Sequence, residues 1–304
     1  MAQSFKKLRL SLISSCNQSC FYCREGNNQL RKNECSSQEL IKICKNLCEL
    51  GIEEIRLTGG EPLLYPHFEE VLKGLSELPL KKLALTTNGV QLSKFLPLLK
   101  RYSCHSLNIS LDSLDPKKFL FITKTDSLET VLTAIKEAKN LGFTIKTNTV
   151  LMRGINDEEI ENFISFSRAN QIETRFLELM RLGQIFEDHK KLFLPYTEIL
   201  ERLKKNHTVE SIPVPADSTA QLFKIDHEAK IGFIASETTP FCGDCSRLRM
   251  DSAGELRACL FEQGTINLRH KSLEELKTLL DDLLCQKPLK RGIGSRTGMN
   301  TIGG

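Results

Sequence analysis

The chain has 304 residues, enough to bury a full core, and its composition is ordinary for a globular protein, with 40% hydrophobic and 26% charged residues. Lysine and arginine number 42 against 38 acidic residues, and the resulting charge of +4 suits an anionic small molecule but gives no argument for nucleic acid. No apolar run of about 18 residues is present, and residues 1–13 carry Lys6, Lys7 and Arg9 without an apolar signal core, so neither a membrane span nor a secretory leader is expected.

From the first strand onward, apolar strands alternate with amphipathic segments. Strands are expected at 7–13, 52–58, 82–87, 106–111, 143–151 and 173–180, with helices between them at 37–50, 67–77, 91–101, 127–141 and 157–170. Ser37 before Glu39, Asp126 before Glu129 and Asn156 before Glu159 read as helix starts, and Gly51 and Gly142 as stops. Such alternation implies a parallel sheet, here about six units of a barrel. After residue 181 the pattern loosens at Pro195, Pro213 and Pro215, leaving a helix near 196–205 and a β-rich stretch over 221–236. The expected architecture is α/β: an incomplete (β/α)6 barrel of the TIM type over residues 1–181, with a C-terminal region, 182–304, closing its open side.

Strand residues alternate between two faces. With the Leu/Ile parity turned to the helices, the other parity reads Arg9 and Ser11, then Arg56 and Thr58, then Ala84, Thr86 and Asn88. It continues as Asn108, Ser110 and Asp112, then Lys146 and Asn148. A complete barrel fills its interior with branched apolar side chains. This interior holds hydroxyls, amides and cations, and buried cations need partners, so an anionic ligand is expected there. Arg175 breaks the parity set by Glu178 and Met180 and finds no place by this rule.

Six of the 11 cysteines fall into two sets: Cys16, Cys20 and Cys23 directly after the first strand, and Cys242, Cys245 and Cys259 near the end. A structural zinc site takes four protein ligands, whereas three thiolates on a four-iron cluster leave one iron open. A zinc knuckle with a distant fourth ligand, such as Cys285 or His270 for the second set, is the competing interpretation. Reduced thiols at ligand spacing point to the cytoplasm. Between the later cysteines, Arg247 and Arg249 occupy alternate positions and so point the same way, unless they pair with Asp244, Asp251 or Glu255 on a surface ribbon. Cys35, Cys44, Cys48, Cys104 and Cys285 are expected to be buried or inert, and the six histidines show no metal-binding spacing.

The spacing of Cys16, Cys20 and Cys23, with Tyr22 before the last, resembles the cluster loop of the radical S-adenosylmethionine superfamily. Gly59-Gly60-Glu61-Pro62 resembles that superfamily's site for the methionine amino group. The resemblance implies that Tyr22, Gly60, Glu61, Ser110 and Met180 hold S-adenosylmethionine, whose reductive cleavage yields a 5′-deoxyadenosyl radical. The whole chain is similar to the GTP 3′,8-cyclase family of molybdenum-cofactor biosynthesis. Matching segments include Leu8-Arg9-Leu10-Ser11, Ile55 through Pro62, Leu85-Thr86-Thr87-Asn88-Gly89 and Asn108 through Asp112. They continue with Lys146-Thr147-Asn148, Gly154 through Glu158, Arg175 through Glu178, Cys242 through Phe261 and the ending Ile302-Gly303-Gly304.

That resemblance implies two [4Fe-4S] clusters, S-adenosylmethionine as cofactor and GTP as substrate. It assigns GTP to Arg9, Arg56, Thr86, Lys146, Arg175, Arg247 and Arg249. Arg9, Arg247 and Arg249 are implied to assist the cyclisation, in which a ribose C3′ radical attacks guanine C8. It further implies an electron donor such as a flavodoxin or ferredoxin, a cyclic pyranopterin monophosphate synthase downstream, and no membrane or nucleic-acid partner. A homodimer is left open. A radical enzyme with an auxiliary cluster acting on a peptide is the alternative, and a zinc-stabilised binding module a third. Ser14-Ser15 before the first cysteine set and Arg24-Glu25-Gly26 after it depart from the family's usual acidic–basic pair and Met-Pro.

Overall fold

The computed structural model describes residues 5–23, 33–261, 265–286 and 298–299. The first half runs β1 (Lys7–Ser11), α1 (Ser37–Glu49), β2 (Glu54–Thr58), α2 (Phe68–Ser76), β3 (Lys82–Thr87), α3 (Leu92–Arg101) and β4 (Ser106–Ser110). It continues α4 (Pro116–Thr123), α5 (Leu128–Asn140), β5 (Thr144–Leu151), α6 (Ile160–Asn170) and β6 (Glu173–Glu178). The second half holds α7 (His189–Leu192), α8 (Tyr196–Asn206), β7 (Val209–Ile212), β8 (Gln221–Ile225), β9 (Ala229–Ile234), β10 (Arg247–Met250), β11 (Glu255–Arg257), β12 (Ile266–Asn267) and α9 (Leu273–Gln286).

The twelve strands among the described residues share one sheet, in the order β12-β11-β10-β1-β2-β3-β4-β5-β6-β9-β8-β7. From β10 to β9 every neighbouring pair is parallel. The expected six-unit partial barrel is therefore present, and it is not closed. The C-terminal region does more than cover one side. It extends the sheet at both edges, laying β10 parallel to β1 and β9 parallel to β6, with antiparallel hairpins outside them. Residues 240 positions apart in sequence thus become direct neighbours, which local periodicity cannot reveal.

The alternation of strand residues follows the expected parity. Leu8, Leu10, Ile55, Leu57, Leu83, Leu85, Leu107 and Ile109 are buried against the helices. To the same core α1 contributes Leu40, Ile43, Cys44 and Leu47, and α5 contributes Val131, Ala134, Ile135 and Ala138. Cys35, Cys44 and Cys104 are buried, and burial pushes the Cys44 and Cys104 thiols well up, as fits packing residues. The side chain of Cys285 lies outside the described residues.

Helix boundaries differ from expectation in detail. The cap of α1 is Ser36, not Ser37: its hydroxyl accepts the Glu39 N–H and the Glu39 carboxylate accepts the Ser36 N–H, a complete capping box. Glu39 also receives Arg269 at 2.9 Å, tying the C-terminal region to the first helix. Ser127 rather than Asp126 precedes α5 and makes no capping hydrogen bond. Asn156 does not cap with its side chain either; its amide donates to Asp112 O and Val150 O and its oxygen accepts the Met152 N–H. Gly51 and Gly142 end their helices at φ +105° and +82°, as expected. Helix α4 was not anticipated, although Asp115-Pro116 is a start signal: Asp115 accepts the Lys118 N–H and Pro116 takes the first helical position. Among the described residues no helix is long and apolar enough to cross a membrane.

Candidate functional site

A cavity of about 320 Å³ opens on the inner face of the sheet. All six clustered cysteines line it, Cys16, Cys20 and Cys23 from the loop after β1, Cys242 and Cys245 from the loop before β10, and Cys259 after β11. A second cavity, about 370 Å³, lies by the starts of β3 and β4 between Leu75, Leu83, Tyr102 and His105, and holds none of the clustered thiols or arginines.

Four arginines line the first cavity: Arg9, Arg175, Arg247 and Arg249. Pairing of β10 and β2 to β1 aligns Arg249, Arg9 and Arg56 on one rung across three strands. Like charges set side by side repel. Burial, then Arg249, Arg247 and Arg56, lower the Arg9 pKa well below its usual value, and burial with Arg247 takes Arg249 down to about 10. Such a rung concentrates positive potential where an anion can settle. Arg247 does not run along a surface ribbon: its guanidinium lies 4.9 Å from the Phe241 ring centroid and donates to Asp217 O.

Arg56 and Lys146 share the face without lining the cavity. Arg56 donates to Leu85 O at 3.2 Å, and Lys146 pairs with Glu173 at 3.1 Å. Glu173 is an unforeseen counter-ion, since Arg175 reaches it at 2.6 Å and Lys230 at 2.9 Å. The interior charge is thus partly balanced by the protein. Arg175 also resolves its parity problem: β6 stops at Glu178, so Arg175 and Leu177 face the cavity while Met180 belongs to the following loop.

Around the first thiol set, Tyr22, Gly60, Glu61, Ser110 and Met180 all line the cavity, as does Thr86. The Tyr22 hydroxyl donates to Asp112 Oδ2 at 2.6 Å, and Asp112 Oδ1 accepts the Val150 N–H at 2.8 Å. Burial raises Asp112 to about 6 against the lowering effect of both bonds. The Glu61 carboxylate accepts Thr87 Oγ1 and the Asn88 N–H at 2.7 Å and the Leu63 N–H at 3.1 Å, so it ties the ends of β2 and β3 together; burial still pushes it up to about 7.

The paired glycines, which line the cavity, also make room for neighbouring backbone. An added Cβ at Gly60 would lie 2.1 Å from Ser15 O and 2.6 Å from Ser14 O. The Glu61 N–H also donates to Ser15 O, and Ser14 donates twice to Glu34. The Ser14-Ser15 departure is therefore accommodated by contacts that hold the cysteine loop on the end of β2. Arg24-Glu25-Gly26 and the Gly303-Gly304 tail lie outside the described residues. Gly60→Ala is expected to lower stability by about 1–3 kcal/mol through overpacking against that backbone and to reduce iron uptake by the first set. Thermal melting of the apoprotein and an iron count check this, and wild-type values for both would show that the loop yields.

Several contributors had been given no role by motif reading. Asn88 Nδ2 donates to Cys16 Sγ at 3.6 Å, and the Gln18 N–H to the same sulfur at 3.4 Å, donors of the kind that tune cluster sulfurs. Asn108 Oδ1, Asn148 Oδ1 and Gln18 Nε2 are buried with no hydrogen-bond partner, although all three residues line the cavity. Buried polar atoms are normally satisfied, so they fit a polar occupant. Strand parity had placed Asn108 and Asn148 here without giving them a role. Glu178 accepts the N–H groups of Tyr196, Glu237 and Thr238, fixing the segment that leads to Phe241 and Cys242.

The donor sets suit iron–sulfur clusters. Burial, with Asp112 and the two companion thiols, raises Cys20 well above its usual pKa, so a bound cation is needed to make it a thiolate ligand. Three thiols of each set line one cavity of about 320 Å³, which has room for more than the metal alone.

A parallel partial barrel with three cysteines after its first strand is the architecture of radical S-adenosylmethionine enzymes. The family model described as the Radical SAM superfamily matches residues 10–167, and that described as Molybdenum Cofactor Synthesis C matches residues 172–292. A GTP 3′,8-cyclase of Synechocystis is 41% identical over 98% of this chain and 92% of its own, and a mitochondrial GTP 3′,8-cyclase of Arabidopsis thaliana is 40% identical over 86% and 69%. The chain belongs to the GTP 3′,8-cyclase family. In fold it is similar to Streptococcus suis SuiB, solved with the precursor peptide SuiA, at a TM-score of 0.67 and 16% identity over 91% of this chain and 65% of that one.

Proposed function

We propose that this chain converts GTP to (8S)-3′,8-cyclo-7,8-dihydroguanosine 5′-triphosphate, the first step of molybdenum-cofactor biosynthesis. The observation that carries the proposal is the pairing of Arg9 with Arg249, backed by Arg56 on the same rung, on a cavity lined by both thiol sets. The first set, Cys16, Cys20 and Cys23, would hold one [4Fe-4S] cluster, and Cys242, Cys245 and Cys259 the second. When bound, S-adenosylmethionine and the first cluster supply hydrogen-abstracting radical chemistry, and the second cluster supplies an open iron for the guanine edge.

The chain's own residues then bind and orient. Arg9, Arg175, Arg247 and Arg249 would neutralise the triphosphate, with Arg56 and Lys146 adding positive potential from the same face. Thr86 gives a hydroxyl for the nucleotide. Phe241 stacks under Arg247 and limits where that guanidinium can swing. Tyr22, Gly60, Glu61, Ser110 and Met180 form the S-adenosylmethionine side, Tyr22 being held by Asp112. Ring closure within one molecule depends on holding C3′ and C8 together, so positioning is the main contribution of Arg9, Arg247 and Arg249.

In this proposal residues 1–181 serve S-adenosylmethionine and residues 182–304 bring the second cluster. A flavodoxin or ferredoxin supplies electrons in the cytoplasm, and a cyclic pyranopterin monophosphate synthase takes the product. The peptide-modifying alternative has weaker support, because a 16% likeness to SuiB speaks for fold alone. Anaerobic reconstitution followed by incubation with S-adenosylmethionine, dithionite and GTP tests the proposal. About eight irons per chain, expected from two clusters, with 5′-deoxyadenosine and the cyclised nucleotide, would support it. Deoxyadenosine without GTP conversion would favour the peptide alternative, and zinc without sulfide would end the radical mechanism.

A further inference from the structure

Helix α4 presents an outer stripe that the cyclisation does not use. Phe119, Ile122 and Thr123 are buried inward. Lys117, Leu120, Phe121 and Lys124 recur at i, i+3, i+4 and i+7 and so share the outward side. Leu120 is 45% and Phe121 54% exposed, and among the described residues they are the two large exposed hydrophobics adjacent in sequence. The Lys124 ammonium lies 4.5 Å from the Phe121 ring centroid.

This stripe backs directly onto the first thiol set. The Phe121 ring is 5.8 Å from that of Phe21, which sits between Cys20 and Cys23. The same loop is sewn to α4 by its backbone: Ser19 donates to Thr123 O at 2.9 Å and Phe21 to Ile122 O at 3.3 Å. A cluster held by Cys16, Cys20 and Cys23 must receive an electron from outside, and electron transfer falls steeply with distance. A surface one aromatic pair from the ligand loop is well placed for that exchange.

We propose that the outer stripe of α4 is the docking surface for an acidic one-electron carrier of the flavodoxin type. The inference rests on the radical mechanism proposed above. Charge argues for an acidic occupant: Lys117 and Lys124 flank the apolar pair, Asp115 is engaged in capping and Glu158 pairs with Lys118. A small aromatic centre with a cationic rim suits a transient electron-transfer contact, which buries little area. One electron leaves the carrier, oxidising it by one equivalent, and reduces the cluster by one; no bond forms or breaks and no proton moves.

The test is direct binding of a reduced acidic flavodoxin to the holoenzyme by anaerobic calorimetry at low and high salt. Lys117→Glu/Lys124→Glu and, separately, Phe121→Ser are each expected to raise Kd by about tenfold or more. The salt dependence should shrink in the lysine variant. Dithionite-driven deoxyadenosine formation and thermal melting should stay at wild-type levels in the lysine variant, whose two substituted side chains are exposed and outside the site. An unchanged Kd in both variants overturns the proposal, as does a wild-type dimer that the variants convert to monomer with carrier affinity intact. Binding needs no GTP, so failure of the GTP proposal would show separately, as wild-type enzyme that makes deoxyadenosine without cyclised product.

Discussion

Changing Cys242 to Ala is expected to cut formation of the cyclised nucleotide by about 100-fold or more while 5′-deoxyadenosine is still produced. The separation follows from where the residues lie. Cys242 and Cys245 stand before β10, and Cys259 follows β11, whereas the proposed S-adenosylmethionine contacts come from the segments after β1 and β2, the end of β4 and the loop after β6. Removing one of three thiols from the second set leaves the Tyr22–Asp112 and Glu61–Thr87 bonds intact. The iron count should fall from about eight to about four per chain. A loss of positioning on the order of 1 Å costs about 100-fold, and a base without its anchoring iron is displaced by at least that much. Chromatography of both products from the same reaction checks this. Normal nucleotide yield would sink the two-cluster proposal, and loss of deoxyadenosine as well would show that the two thiol sets fold as one unit.

Much of this site was legible because strand parity is exact. A period of two is insensitive to small errors in strand ends, so Arg9, Thr86, Asn108, Ser110 and Asn148 were placed inside from the sequence alone, and all line the cavity. Arg175 was lost for the same reason in reverse: parity was carried past Glu178, where β6 ends. The alignment of Arg249 with Arg9 was beyond reach, since it depends on β10 pairing with β1 across most of the chain. Gly60 was assigned a ligand role, and its close approach to the backbone of Ser14 and Ser15 is a second demand for glycine that no local motif displays. Glu173 carried no motif, and its meaning lies entirely in the three cations that the fold brings to it.

Replacing Glu173 by Gln is expected to destabilise the fold by about 3–5 kcal/mol at neutral pH, the usual cost of breaking a buried ion network from one side. Glu173 is only 7% exposed as a residue, and Arg175, Lys146 and Lys230 all lie within 3.1 Å of its carboxylate oxygens. Burial alone would raise its pKa, yet Arg175, Lys230 and Lys146 outweigh burial and lower it from 4.5 to about 2. The folded value is depressed, so the stabilisation is present above the unfolded value and is lost as pH falls from about 4.5 toward about 2. By linkage that shift is worth about 3 kcal/mol at neutral pH, in line with the mutational figure. Glutamine keeps the shape and one acceptor oxygen but leaves three like charges facing one another. Denaturant unfolding at pH 7 and at a series of acidic values checks both parts: the variant should be weaker at pH 7 and should lose less than the wild type on acidification. A difference under about 1 kcal/mol, the scale of an exposed pair, would mean that water or another anion already balances Lys146 and Arg175. Confirmation would make Glu173 the residue that lets a barrel interior carry this many cations and still fold before any polyanion arrives.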